Sequence, residues 1–76
     1  MFNQIKQIII DTIHVDEALI TLDARLKEDL DIDSLTKLEL TLEFENTFEI
    51  RIEDIELVDI KTVGDIVETI KRKLNS

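Results

Sequence analysis

Residues 34–48 constrain the fold most, because their apolar side chains recur at helical spacing on two separate faces. At about 100° per residue, the two faces separate clearly around a helix axis. The first stripe contains Leu40, Phe44 and Phe48, and the second contains Leu35, Leu38 and Leu42. A helix with two apolar stripes is either buried on two sides or presents one stripe to a partner.

Two further segments show a single amphipathic face. The first is residues 2–13, and the second begins after Thr62, which forms a short capping box with Asp65. The face of the first segment contains Phe2, Ile5, Ile8, Ile9 and Ile13, and that of the second contains Val63, Ile66, Val67, Ile70 and Leu74. Both patterns predict helices with one side in the core.

The remaining segments connect these helices. Residues 15–32 have no sustained period, which predicts a long connection with apolar anchors and a short helical turn at 16–20. Ile52, Ile55 and Val58 recur at three-residue spacing, which predicts one short helix over residues 53–58. The predicted fold is therefore all-α: a small four-helix bundle of three main helices and one short helix, in a single domain over residues 1–76.

Charge is concentrated in the middle of the chain. The net charge is −9, and residues 27–60 carry twelve acidic and three basic side chains. This field disfavours nucleic acid and anionic membrane surfaces, and it favours partners with basic patches. The chain shows no membrane span and no signal peptide, so a cytoplasmic location is expected.

Ser34 stands where this acidic segment meets the central helix. Both Asp33 and Ser34 are good N-cap residues, so the serine hydroxyl is expected at a helix N-terminus, where backbone N–H groups favour a phosphate. Two interpretations follow. Ser34 either carries a phosphodiester or only caps the helix, and capping is the commoner role for such a serine.

Other chemistries fit the sequence poorly. Asp29, Asp31 and Asp33 alternate like the start of a calcium loop, but Ser34 and Leu40 occupy the positions that require glycine and a bidentate glutamate. Calcium sensing is therefore a distant alternative. The chain has one histidine and no cysteine, and it contains no catalytic constellation, so neither a metal site nor an enzyme is expected.

The residues around Ser34 resemble the prosthetic-group region of the acyl carrier proteins. The resemblance rests on Asp33-Ser34-Leu35, preceded by Glu28-Asp29-Leu30 and followed by Glu39, Leu40, Glu45 and Phe48. In addition, Ile60-Lys61-Thr62-Val63 with Asp65-Ile66 is similar to the start of that family's last helix. The resemblance covers nearly the whole chain.

This resemblance implies a function and a set of site residues. Ser34, flanked by Asp33 and Leu35, would carry 4′-phosphopantetheine, whose thiol holds an acyl group as a thioester. The implied docking residues are Leu35, Leu38, Glu39, Leu42 and Glu45. The implied partners are a phosphopantetheinyl transferase and acyl-transferring or chain-modifying enzymes with basic patches, and the carrier itself is expected to be a monomer.

Four residues depart from the family pattern. Thr36 replaces an acidic residue, Lys37 adds a positive charge near the attachment turn, Asp31 replaces glycine, and Thr41 replaces an aliphatic residue of the interior. A fatty-acid carrier and a carrier of a specialised lipid or polyketide pathway therefore both stay open. The competing function is an acidic helical protein-interaction module without a prosthetic group, in which Ser34 is only a cap.

Overall fold

The computed structural model describes residues 1–75 and shows an all-α fold. The helices are α1 (Phe2–Ile13), α2 (Ser34–Phe48), α3 (Asp54–Asp59) and α4 (Val63–Leu74), with a 3-10 turn at Glu17–Leu19. Within residues 1–75 there is no strand, and Arg25 and Thr62 form an isolated antiparallel bridge. The predicted fold class and the four helices are confirmed.

The core lies where α1 and α4 pack against α2. Its most buried helical side chains are Ile5 and Ile9 of α1, Leu40 and Phe44 of α2, and Val63, Ile66 and Ile70 of α4. These residues belong to the faces that the helical spacing predicts. Burial of these faces is the main favourable contribution to the stability of the bundle.

The long connection between α1 and α2 is fixed against the start of α4. Its buried anchors are Ile20, Ala24, Leu26, Leu30 and Ile32. The Leu26 N–H donates to the Lys61 carbonyl at 2.9 Å, and the Val63 N–H donates to the Ala24 carbonyl at 3.0 Å. The connection is therefore an ordered part of the fold, and it brings residues 26–33 to the N-terminus of α2.

Gly64 allows α4 to approach this connection closely. Its N–H donates to the Leu22 carbonyl at 2.9 Å, and a Cβ at this position would lie 3.0 Å from the same oxygen. A side chain here would be in closer contact with the backbone than ordinary packing allows. The only glycine of the chain thus lies at a close tertiary contact that any side chain would tighten.

The short helix α3 is present, but the spacing that predicted it does not mark a buried face. Ile52 is buried, whereas Ile55 and Val58 are 77% and 70% exposed. The reason is that Ile52 precedes the helix, which begins after its N-cap Glu53; Glu53 forms a capping box with Glu56 of the first turn. The three-residue spacing therefore spans a boundary between extended and helical backbone, and Leu57 is the residue of α3 that packs against the core.

Candidate functional site

Ser34 is the first residue of α2, and the helix is capped by its neighbour. Asp33 has extended backbone, and its Oδ1 accepts a hydrogen bond from the Thr36 N–H at 2.8 Å. This hydrogen bond holds the pKa of Asp33 below its ordinary value, so the cap is a charged carboxylate. Ser34 is exposed, and its hydroxyl forms no hydrogen bond within residues 1–75. The interpretation of Ser34 as the cap is therefore wrong.

The acidic residues before Ser34 shape the turn that leads into α2. Asp29 accepts the Arg25 N–H at 2.8 Å and also contacts the Arg25 guanidinium at 3.3 Å. The backbone hydrogen bond, followed by the guanidinium, holds the pKa of Asp29 below its ordinary value. This structural role was not among the predictions from the sequence, although an arginine four residues before an aspartate is a recognisable ion-pair pattern.

Asp31 adopts a left-handed conformation in the same turn, with φ of 55°. Glycine reaches this region without steric cost, which gives a physical reason for the glycine that the resemblance implies at this position. Asp29 is engaged by Arg25, and no group of three His, Asp or Glu side chains within residues 1–75 could hold a metal ion. The alternating aspartates thus form a turn and not a calcium loop.

The two apolar stripes of α2 face opposite environments. Leu40 and Phe44 are buried, and Phe48 packs against the core. The other stripe is exposed, with Leu35 at 65%, Leu38 at 45% and Leu42 at 50%. The two-stripe prediction is confirmed, and the second stripe begins at the residue that follows Ser34.

The two predicted acidic docking residues differ in their surroundings. Glu39 is exposed beside the leucine stripe. Glu45 is half-buried, and its Oε2 accepts the Ile52 N–H at 2.8 Å. Glu45 therefore also fixes the connection between α2 and α3, a contact that the sequence pattern did not reveal.

A groove lies beside Ser34, between the start of α2 and the connection from α3 to α4. Leu26, Ile32, Val58 and Ile60 form its apolar walls, and Lys27, Lys37 and Lys61 line it with positive charge. We call this the Ser34 groove. In the sequence, Lys37 stands out only as a departure from the family pattern, because Lys27 and Lys61 are brought beside it by the tertiary fold.

A small interior space lies behind this groove. It measures about 10 Å³, which is room for roughly one water molecule, and Lys37, Leu26 and Ile60 line both it and the groove. Thr41 also lines it, and the Thr41 hydroxyl donates to the Lys37 carbonyl at 2.8 Å. The buried hydroxyl is therefore satisfied within its own helix.

The charged and apolar features together fit a covalently attached phosphodiester. An exposed hydroxyl, a helix N-terminus and a groove with three ammonium groups are chemistry that suits a phosphate on Ser34.

Within residues 1–75, no helix is long and apolar enough to cross a membrane.

Comparisons with known proteins identify the family. The model of the phosphopantetheine attachment site matches residues 3–70. An acyl carrier protein of Petrotoga mobilis is 49% identical over 75 residues, covering 99% of this chain and 88% of that protein. One of Thermotoga maritima is 42% identical over 74 residues, covering 97% of this chain and 91% of that protein.

Solved structures agree with these matches. The crystal structure of an acyl carrier protein from Thermotoga maritima superposes with a TM-score of 0.84 at 29% identity, covering 96% of this chain and 85% of that one. These similarities do not favour the interaction module without a prosthetic group. Members of the matched family bind 4′-phosphopantetheine covalently, interact with biosynthetic enzymes, and act as carriers and not as catalysts. The chain therefore belongs to the acyl carrier protein family.

Proposed function

We propose that Ser34 is the residue that carries 4′-phosphopantetheine, with Asp33 and Leu35 as its immediate flanks. The exposed Ser34 hydroxyl, without a hydrogen bond in the described part of the chain, is the observation that carries this proposal. The family match supports it, since Ser34 is the only serine within residues 3–70. The second serine of the chain, Ser76, lies outside the matched segment and outside the described residues.

Each feature of the site has a role in this proposal. Asp33 caps α2 and so leaves the Ser34 hydroxyl available as the acceptor in transfer from coenzyme A. In that transfer the Ser34 oxygen bonds to phosphorus, the nucleotide half of coenzyme A leaves, and the transferase takes the proton. When bound, the prosthetic group supplies a thiol that holds acyl groups as thioesters.

We also propose that the exposed stripe of α2 is the docking surface for partner enzymes. It consists of Leu35, Leu38 and Leu42, with Glu39 and Glu45 at its rim. The carboxylates attract enzymes with basic patches, and the leucines add apolar contact area once the enzyme has bound. Partners of this kind are a phosphopantetheinyl transferase and the acyl-transferring and chain-modifying enzymes of fatty-acid, polyketide or specialised-lipid biosynthesis.

The proposal includes a monomeric carrier that works in the cytoplasm. One attachment serine at the end of one docking stripe serves one enzyme at a time, and exchange between enzymes requires short-lived complexes. Size-exclusion chromatography with light scattering is expected to give the mass of a single chain. A stable dimer would contradict this part of the proposal.

The attachment site is tested by the intact mass after incubation with coenzyme A, Mg²⁺ and a broad-specificity phosphopantetheinyl transferase. The wild type and Ser76→Ala are expected to gain one phosphopantetheine, and Ser34→Ala none. Because the chain has no cysteine, a thiol reagent gives a second readout of the same loading. A gain in Ser34→Ala, or its loss in Ser76→Ala, would place the attachment elsewhere.

A further inference from the structure

The lysines of the acidic middle segment, together with Lys61 directly after it, line one groove beside Ser34. Residues 27–61 contain Lys27, Lys37 and Lys61 as their only lysines, and all three line the Ser34 groove. The remaining basic residue of the segment is Arg51, which does not line the groove. It forms an ion pair with Glu53, at a distance of 3.1 Å. A segment with twelve acidic residues thus has a local positive site beside its serine.

In the described part of the chain, these ammonium groups form no ion pair with a carboxylate. Within residues 1–75, none of the three lysines forms an ion pair, whereas Lys6 pairs with Glu17, and Arg72 pairs with Glu56. The one carboxylate in the groove besides Asp33, that of Glu28, lies 3.7 Å from the Arg25 guanidinium. In a chain with an excess of carboxylates, adjacent cations without partners favour the binding of an external anion.

Lys37 is partly removed from solvent and lies close to another cation. It is half-buried, and burial lowers its pKa; the charge of Asp65 raises the pKa, and the charge of Lys61 lowers it by a smaller amount. A negative group in the groove would offset both costs.

We propose that Lys37 and Lys61, assisted by Lys27, hold the phosphodiester on Ser34, so that the prosthetic arm lies in the Ser34 groove when no enzyme is bound. The inference rests on the proposed attachment to Ser34. Lys37 lies three residues after Ser34, so its stem rises from the adjacent turn of α2. Lys61 reaches from the opposite wall, and Val58 and Ile60 offer apolar contact to the arm.

Lysines suit a contact that must be released. An ammonium group binds a phosphate as a point charge without the bidentate geometry of arginine. When the basic patch of an enzyme approaches, it competes for the phosphodiester and repels the three lysines. The groove therefore holds the arm in the unbound carrier and releases it at the enzyme surface.

The test compares apo and holo protein for the wild type, Lys37→Met, Lys61→Met and the double variant. Lys71→Met is the matched control, since Lys71 is an exposed lysine outside the groove. Each holo sample is one that intact mass shows to be fully loaded, which separates this test from that of the attachment site. The readouts are the holo-minus-apo difference in Tm and the amide chemical shifts of Val58 and Ile60.

The wild type is expected to have a higher Tm in the holo form, with shifted Val58 and Ile60 amides. Both effects are expected to decrease in each single variant, to be lost in the double variant, and to persist in Lys71→Met. The same Tm difference and the same shifts in the double variant as in the wild type would overturn the inference.

A salt series on the wild type tests the inference without any substitution. The Debye length falls from about 10 Å at 0.1 M to about 3 Å at 1 M, so the holo-minus-apo difference should decrease with salt. A difference that does not change with salt would contradict an electrostatic contact between the lysines and the phosphodiester.

Discussion

Asp33 accepts a hydrogen bond from the Thr36 N–H at 2.8 Å and thereby caps α2 in place of Ser34. The charged cap satisfies a backbone donor at the helix N-terminus that a serine hydroxyl would otherwise have to satisfy. Ser34 itself is exposed, and its hydroxyl forms no hydrogen bond within residues 1–75. Asp33 therefore stabilises the start of the helix, and the adjacent Ser34 remains available for the proposed attachment.

Because one stripe of α2 is buried and the other exposed, we expect two leucine substitutions to affect different properties, stability in one case and partner binding in the other. Leu40→Ala removes a buried side chain and is expected to lower the free energy of unfolding by about 2–5 kcal/mol. Leu42→Ala removes an exposed one and should change stability by less than about 0.5 kcal/mol while raising the KM of a phosphopantetheinyl transferase for the carrier. Urea unfolding and transfer kinetics measure the two effects. An unchanged KM for Leu42→Ala would argue against the docking stripe.

The left-handed backbone at Asp31 predicts an order of stability among its variants. Asp31→Gly and Asp31→Ala remove the same charge, but only glycine adopts φ of 55° without a steric cost. Asp31→Gly should therefore be more stable than Asp31→Ala by about 1 kcal/mol, measured by urea unfolding. Asp31→Asn, which also tolerates this region, is expected between them. Equal stability of the glycine and alanine variants would mean that the turn relaxes to another conformation.

Glu56 links α3 to the end of α4, and we expect its contribution to the stability of the fold to depend on pH. Its carboxylate accepts hydrogen bonds from Lys73 at 2.7 Å and Arg72 at 3.1 Å. The hydrogen bond from Lys73, followed by that from the Glu53 N–H, lowers the pKa of Glu56 to about 2. The contribution of Glu56 to stability is thus fully present above the unfolded pKa of about 4.3 and is lost as the pH falls toward the folded value.

Thermal unfolding of Glu56→Gln measures this contribution. The variant should have a lower Tm than the wild type at pH 7, and the difference should decrease as the pH falls from about 4.3 toward 2. Glu43→Gln is the control, because Glu43 is exposed and forms no ion pair within residues 1–75. The same Tm difference between Glu56→Gln and the wild type at pH 7 and at acid pH would contradict a stabilising role for the Glu56 carboxylate.

Helical spacing predicted the elements whose stability comes from a long apolar face. The faces of α1, α2 and α4 follow the pattern over at least three turns, so the core positions of Ile5, Leu40 and Ile70 were predictable. In contrast, α3 has six residues, fewer than two turns, and no period can define its inward face. Its orientation is set by the Glu53–Glu56 capping box and by the pairing of Glu56 with Lys73 from another helix.

The site was only partly predictable for a related reason. The sequence placed Ser34 at a helix start. Asp33 and Ser34 are adjacent and both are good N-cap residues, so residue propensities do not show which of them is the cap. The Ser34 groove depends on the backbone pairing of Leu26 with Lys61, a contact between residues far apart in sequence. Such contacts have no local pattern, so the convergence of the three lysines is visible only in the fold.

The most direct test of the account is to locate the prosthetic group on a peptide of the loaded wild type. Cleavage after Lys27 and Lys37 releases residues 28–37, whose only hydroxyl side chains are those of Ser34 and Thr36. Fragment ions from this peptide are predicted to place the whole added mass of one phosphopantetheine on Ser34. Fragment ions that place it on Thr36, or its recovery on a peptide outside residues 28–37, would contradict the proposed attachment site.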